Sequence, residues 1–303
     1  VFEATASDVR ASGIKWVFSP TVAVARDDRW GRTYESFSED PELVSVHAQT
    51  AITGLQGISP AQLQSANKVI ATSKHFLGDG GTTNGIDQGN TELSESSLLD
   101  IHGQSFQAAI DAGTQTIMAS FNSWNGDKVH GSQYLLTDIL KKQFGFEGFV
   151  IGDWNGHAQI PGCSKTSCSQ AINAGVDMLM APEDWKQLLQ NTVEQVEAGD
   201  IAVARINDAV TRILRVKYRA GLFAENYEVW PESPAYSEKQ TREIARQAVR
   251  ESLVLLKNNS HTLPLQSNGK FLVVGQAANS IAQQTGGWTL SWQGDGNSND
   301  DFP

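Results

Sequence analysis

Nowhere in the 303 residues is there an unbroken apolar run of the roughly 20 residues that a bilayer-crossing helix needs. Positive charge is scarce as well: 23 Lys and Arg stand against 34 Asp and Glu, a formal charge of -11. That balance argues against a nucleic acid partner, which would need a basic face to displace counterions, and favours a neutral or cationic small ligand. Cysteine is limited to Cys163 and Cys168 in PGCSKTSC. Four intervening residues suffice to close a small disulfide loop in an oxidising compartment, with two free thiols as the alternative. A zinc site would need two further ligands nearby, and none is in view. No initiator methionine opens the chain and no signal-like segment precedes Val1, which reads as a lost or processed N-terminus.

What is present, 40% hydrophobic and 19% charged residues, is the composition of a globular protein, and the length exceeds the usual size of one core. Two units are therefore expected. Short β-rich runs recur at 15–20, 69–76, 116–122, 149–154 and 177–182. Helical patterns lie between most of them: 96–113, where Leu98, Ile101, Phe106, Ala109 and Ile110 share a face and Gly113 suits a C-cap, then 185–199 and 201–221. Strands alternating with helices predict a parallel sheet, and strands that are apolar throughout predict cover on both faces. Polar groups end four successive strands: Lys74 and His75, Asn122 and Trp124, Asp153 and Trp154, and Glu183. Reactive side chains spread over many strand ends favour the rim of a (β/α)8 barrel over a doubly wound sheet.

The expected organisation is thus an incomplete (β/α)8 TIM-like barrel over 1–221, a linker with a connecting helix over 222–268, and the beginning of a second α/β sandwich domain over 269–303. The linker reading rests on NYEVWPESPAYSEK, with two prolines and no periodicity. A helix is expected in TREIARQAVRESLVLLKNN, and a strand in KFLVVG at 270–275.

Three stretches carry candidate chemistry. In FVIGDWNGH, Asp153 closes a buried strand. It could cap a helix, but beside Trp154, a platform for a sugar ring, and the roomy Asn155-Gly156-His157 turn, its carboxylate is equipped to attack an anomeric carbon. In KHF, Lys74 and His75 are adjacent, so a site using both must break the pleat by a bulge or an unusual peptide bond; separately they would be a surface charge and a structural imidazole. The glycine-rich LGDGGTTNG that follows is not a phosphate loop, because it lacks the GK[ST] ending. In RDDRWGRTYESFSED, an arginine could hold sugar hydroxyls, or Arg29, Arg32, Glu35 and Glu39 could form a surface ion-pair network.

Together with GGWTLSWQG at 286–294, these stretches resemble glycoside hydrolase family 3: the patterns RDxRWGRxYESxSED, KHFxGDGGT, SDWNG and GGWTxxWQG recur here in the family's order. Within the family the chain is similar to the exo-acting β-glucosidase and β-glucan glucohydrolase branch. The resemblance implies a retaining mechanism with Asp153 as nucleophile, the serine that usually precedes it being replaced by Gly152. It assigns sugar-holding roles to Lys74, His75 and Arg29, and pocket positions to Met118 and Phe121, the latter where a tyrosine is often found. Trp154 and Trp292, with Trp288 nearby, are implied to clamp the next glucosyl unit; core packing is the rival reading for each aromatic.

The resemblance further implies that the acid/base is a glutamate of the second domain beyond the tryptophan motif, outside this chain, and that another sugar-holding aspartate precedes Val1. Glu35, Asp79 and Asp87 lie in plausible loops but do not fit the acid's place. The branch that cleaves N-acetylglucosamine uses a His-Asp pair after KHF, and DGGTTNGIDQ has no histidine. The expected activity is a retaining exo-β-glucosidase acting on β-glucans or cello-oligosaccharides, with no metal or organic cofactor and a periplasmic or secreted location. A β-xylosidase and a catalytically silent carbohydrate-binding module are the alternatives. The isolated 303 residues are expected to turn over natural glucosides very poorly.

Overall fold

The computed structural model describes residues 1–229 and 237–301; positions 230–236, in the middle of the expected linker, and 302–303 lie outside them. The chain divides into two compact units, Val1–Arg250 and Glu251–Pro303. The division falls later than Gly221, where the sequence pattern changes character, because the helix Glu238–Ser252 belongs almost entirely to the first unit.

The first unit begins with α1 (Phe2–Ala11) and α2 (Pro41–Gln56), which pack on each other. The start of α2 is written locally. Asp40 Oδ1 accepts the amide of Glu42 at 2.8 Å, Pro41 needs no donor partner in the first turn, and Val44, Ala48, Ile52 and Leu55 recur on one buried face. Strand β1 (Thr72–Phe76) follows, then helix α3 (Gln104–Asp111), strand β2 (Thr116–Ala119) and strand β3 (Phe149–Ile151). The order β1-β2-β3 is parallel throughout, with Thr72 opposite Thr116 and Ile117 opposite Val150. Two further segments extend the array without forming full strands. Trp16 bridges Ile70 just before β1, Thr21 bridges Lys74 within it, and Met178 bridges Ile151, all in parallel. All five apolar runs expected in the sequence therefore contribute to one parallel array, the outer two only through bridges.

Both faces of the array are covered, as continuous apolarity requires. Ile117 and Val150 join Ile52, Leu55, Phe106 and Leu136 in one apolar cluster, while the alternate residues Met118, Phe149 and Ile151 join Ile70, Val216 and Met178 in another. Each such fully buried aliphatic or aromatic side chain contributes about 1.5–3 kcal/mol. Helices α4 (Trp185–Glu197) and α5 (Val203–Arg219) match their sequence patterns, and the expected 96–113 helix runs in three abutting pieces from Glu95 to Asp111, with Gly113 at φ 89 just after it. The first unit is α/β with a parallel sheet.

In the second unit no strand forms among the described residues. The strand expected at 270–275 is a correction: Phe271, Leu272, Val273 and Val274 are exposed, Leu272 to 87%. A strand exists only through its neighbours' backbone groups, and this unit offers the segment none. The expected 241–259 helix likewise ends at Ser252, leaving Leu253 to Leu256 exposed.

Candidate active site

The ends of β1, β2 and β3 converge with the loop 26–40. At the tip of β1 the pleat is broken: the Lys74–His75 and Phe76–Leu77 peptides are cis, and the pairing with β2 slips between Ser73 and Phe76. Both side chains are buried. Burial lowers the Lys74 ammonium pKa, opposed by the charges of Glu35, Asp153 and Asp79, which lie within electrostatic reach of it.

His75 has a determined tautomer. Its Nε2 lies 3.1 Å from Arg32 Nη2, and a guanidinium can only donate, so Nε2 is the acceptor and Nδ1–H points at Asp79 Oδ2, 2.9 Å away. Burial pushes the imidazole pKa well below its ordinary value, with the Arg32 charge acting in the same direction. Burial also lifts Asp79 to about 6, against the opposing pull of Arg32. Arg32 holds Glu35 through two bonds, Nε to Oε1 at 2.7 Å and Nη2 to Oε2 at 2.9 Å.

Asp153 sits beside this group, its Oδ2 3.7 Å from His75 Nε2 and its side chain 14% exposed. Its Oδ1 accepts the amide of Trp154 at 2.7 Å, so part of the capping role is real, but it is confined to a single neighbouring amide. A tight turn follows: Gly156 donates to the Asp153 carbonyl at 2.9 Å, and Asn155 takes φ 51, a left-handed conformation that Asn tolerates. Of the four polar groups at this tip, Asp153 and Trp154, which is 57% exposed, reach open space. Asn155 and His157 are buried braces rather than open loop atoms: Asn155 Nδ2 donates to Glu183 Oε2 at 3.2 Å, and His157 Nε2 lies 3.0 Å from the Lys165 carbonyl. Lys165 belongs to the loop that Cys163 and Cys168 close by a disulfide.

Several expected positions are placed otherwise. Arg29, assigned the sugar-holding role, has a side chain 68% exposed and is engaged with Asp27 at 2.6 Å; the arginine delivered to His75 is Arg32, three residues on. The single turn Thr33–Glu35 folds Arg32 back onto Glu35, which the linear motif does not reveal. Met118 is 2% exposed and packs in the apolar cluster with Phe149 and Ile151, on the opposite pleat face from the also buried Ile117. Phe121 does border a small hollow, together with Arg32, Asp79 and Asn122. Asn122 is fully buried and its amide bonds Leu77 O and Thr91 Oγ1, while Trp124 donates to Leu93 O and stacks on Tyr134. Within the second unit, Trp288 and Trp292 are both exposed, with ring centroids 6.4 Å apart and the Trp288 amide bonded to the Trp292 carbonyl at 2.9 Å. Sequence reading passed over Asp79 as a partner of His75, although its i+4 position after KHF was a visible signal. Among the described residues no group of three or more His, Cys, Asp or Glu is arranged to hold a metal ion.

The buried titratable groups set an acid response. Burial lowers His102 and His130 from 6.5 to about 4, so between those values the unfolded chain binds more protons and stability rises with pH; the depressed His75 acts in the same sense. Asp79, raised from 3.8 to about 6, has the opposite sign over its own window. Three histidines outweigh one carboxyl. The melting midpoint is therefore expected to be higher at pH 6.5 than at pH 4.5 in a differential scanning measurement, and a flat or inverted profile would contradict these burial-driven shifts.

Residues 1–216 match the glycosyl hydrolase family 3 N-terminal domain. An exo-1,3/1,4-beta-glucanase from a Pseudoalteromonas species superposes with a TM-score of 0.95 at 53% identity, covering 100% of this chain and 38% of the other. A periplasmic beta-glucosidase of Salmonella typhimurium is 33% identical over 301 residues, 95% of this chain and 38% of that protein. A beta-xylosidase of Formosa agariphila is 34% identical over 301 residues, 94% of this chain and 42% of its own length. The chain spans less than half the length of these relatives. With the family pattern matched over most of its length, this chain belongs to glycosyl hydrolase family 3, and its first unit carries that family's N-terminal domain.

Proposed function

We propose that the protein carrying this chain is a retaining exo-β-glucosidase that releases terminal glucose from β-glucans or cello-oligosaccharides. One observation carries the reading. Asp153 presents a partly open carboxylate whose Oδ1 is held by the Trp154 amide and whose Oδ2 faces the unprotonated nitrogen of His75. An oxygen so placed is free to bond carbon. In the proposed double displacement Oδ2 attacks C1, the C1–O bond to the aglycone breaks, and a second carboxyl about 5 Å away gives the leaving oxygen its proton. The same carboxyl then takes a proton from water, which hydrolyses the glycosyl ester and frees Asp153. Buried Lys74 and Arg32, with neutral His75, are read as holding the sugar hydroxyls, and Trp154 as the platform for the next ring.

The parallel array is read as part of a (β/α)8 barrel, because its polar groups gather at the C-terminal ends of three successive strands. Similarity to exo-1,3/1,4-beta-glucanase and periplasmic beta-glucosidase supports the substrate class. A periplasmic or secreted location is supported by the name of the latter and by the disulfide. The likeness to a beta-xylosidase keeps that activity as a second reading. The two differ only in how the pocket treats the C6 hydroxymethyl group, so kinetics of the full-length protein on aryl β-glucoside and aryl β-xyloside separate them. A 2-fluoro-glucoside should label the peptide carrying Asp153 in mass spectrometry, and a label elsewhere would overturn the assignment.

A further inference from the structure

We propose that His130 is the positioning residue for Asp153, a neutral imidazole that accepts the amide N–H of residue 153 and thereby sets the direction of its carboxylate. The inference rests on the reading of Asp153 as nucleophile and adds the group that holds it.

Every backbone amide from Gly152 to Gly156 has a partner, but of different kinds. Gly152 donates to the Met178 carbonyl and Asn155 to the Met180 carbonyl, both at 2.9 Å, as continuations of the parallel pairing. Gly156 closes the turn on the Asp153 carbonyl. Trp154 donates to Asp153 Oδ1. The amide of Asp153 alone goes to the side chain of a residue distant in sequence, His130 Nε2 at 2.9 Å. At the end of a strand a partly buried N–H without such an acceptor would lack a protein partner, so the imidazole supplies what the sheet does not.

Both ring nitrogens are committed. Nδ1 lies 2.8 Å from the Ser120 carbonyl, which can only accept, and the Asp153 amide can only donate. His130 is therefore the Nδ1–H tautomer, clamped at both ends, and it ties the segment just after β2 to the tip of β3. Its surroundings are built around the ring. The residue is 1% exposed, a Cβ at Gly156 would fall 2.3 Å from Nε2, and the Phe121 ring leans on it at 5.9 Å. With the 153 amide fixed, Oδ1 meets the Trp154 amide and Oδ2 is left facing His75. His130 thus acts through the backbone of the residue that reacts.

Two substitutions separate this role from packing. In His130→Gln, the amide oxygen can stand where Nε2 stood and accept from Asp153. In His130→Asn, the shorter side chain can still donate to the Ser120 carbonyl but cannot reach the Asp153 amide. Measured in the full-length protein on an aryl β-glucoside, H130N is expected to lower kcat on the order of tenfold to a hundredfold with KM little changed, since a misplaced reacting group costs rate rather than binding. H130Q is expected to keep most of the activity, and trapping by a 2-fluoro-glucoside should slow in parallel with kcat. Equal activities in the two variants, whether both intact or both lost, would overturn the proposal. A second measurement needs no variant: long-range nitrogen–proton NMR correlations on the histidine-labelled protein should show His130 neutral with its proton on Nδ1, and a protonated Nε2 would refute it. If the fluoro-sugar labels a residue other than Asp153, the functional reading fails while the tautomer result stands on its own.

Discussion

Asp153→Asn is expected to cut kcat/KM for an aryl β-glucoside by roughly four orders of magnitude while leaving the melting midpoint nearly unchanged. An amide is a far weaker nucleophile than a carboxylate and cannot form the glycosyl ester, so what remains is the residual catalysis of binding and orientation, as when the nucleophile of another hydrolase is removed. The fold is spared because the Asn side-chain oxygen can still accept the Trp154 amide, the one bond Oδ1 makes, while the backbone amide keeps His130. Asp153→Gly gives a sharper outcome. The space it opens admits a small anion such as azide, which attacks from the face the carboxylate occupied and should yield a glucosyl azide of inverted configuration. Activity of D153N within about tenfold of the parent would remove the carboxylate from the reaction, whereas sugar binding without any turnover in the full-length parent protein would favour the silent binding module.

Replacing Arg32 with Met is expected to destabilise the protein by about 3–5 kcal/mol, because it removes the doubly hydrogen-bonded counter-charge of the buried Glu35 carboxylate. The pair is well sealed, with side chains 12% and 4% exposed and two bonds between them. The same substitution also strips His75 Nε2 of its donor, leaving Nδ1–H to Asp79 as the hydrogen bond that orients the ring, so activity should fall with stability. The double variant Arg32→Met/Glu35→Leu removes both charges and is expected to regain most of the stability in a denaturant melt but none of the lost kcat/KM. Arg29→Met is the control. Its partner Asp27 is at the surface, where solvent screens the pair, and its loss is expected to leave the melting midpoint nearly unchanged. Equal costs at positions 29 and 32 would refute the distinction between them.

These two arginines show where sequence reading stopped. RDDRWGR offers arginines three residues apart, and nothing in the string says which one turns inward; that choice is made by the turn at Thr33–Glu35 and by the burial of Glu35 against Thr21. The Asp153 turn is similar. Asp153 and Trp154 were legible as candidates because they follow directly on a buried strand, and the structure leaves the side chain of the first 14% exposed and the second 57% exposed. The inward turn of Asn155 and His157 depends on Glu183 and Lys165, which lie outside the motif. His130 carried no local signal, since both its partners lie ten or more residues away.

Composition, hydrophobic periodicity and glycine placement by themselves determined the alternation of helices and parallel strands and the cover on both sheet faces, because these follow from interactions within a few residues or from pleat geometry. Matched motifs in order identified the family. Tertiary structure alone decided which arginine meets His75, that Met118 is core, that 270–275 forms no strand, and which nitrogen of His75 and of His130 bears the proton. Those outcomes depend on which donor or acceptor is brought within about 3 Å from a distant part of the chain, and a linear sequence does not encode that distance locally.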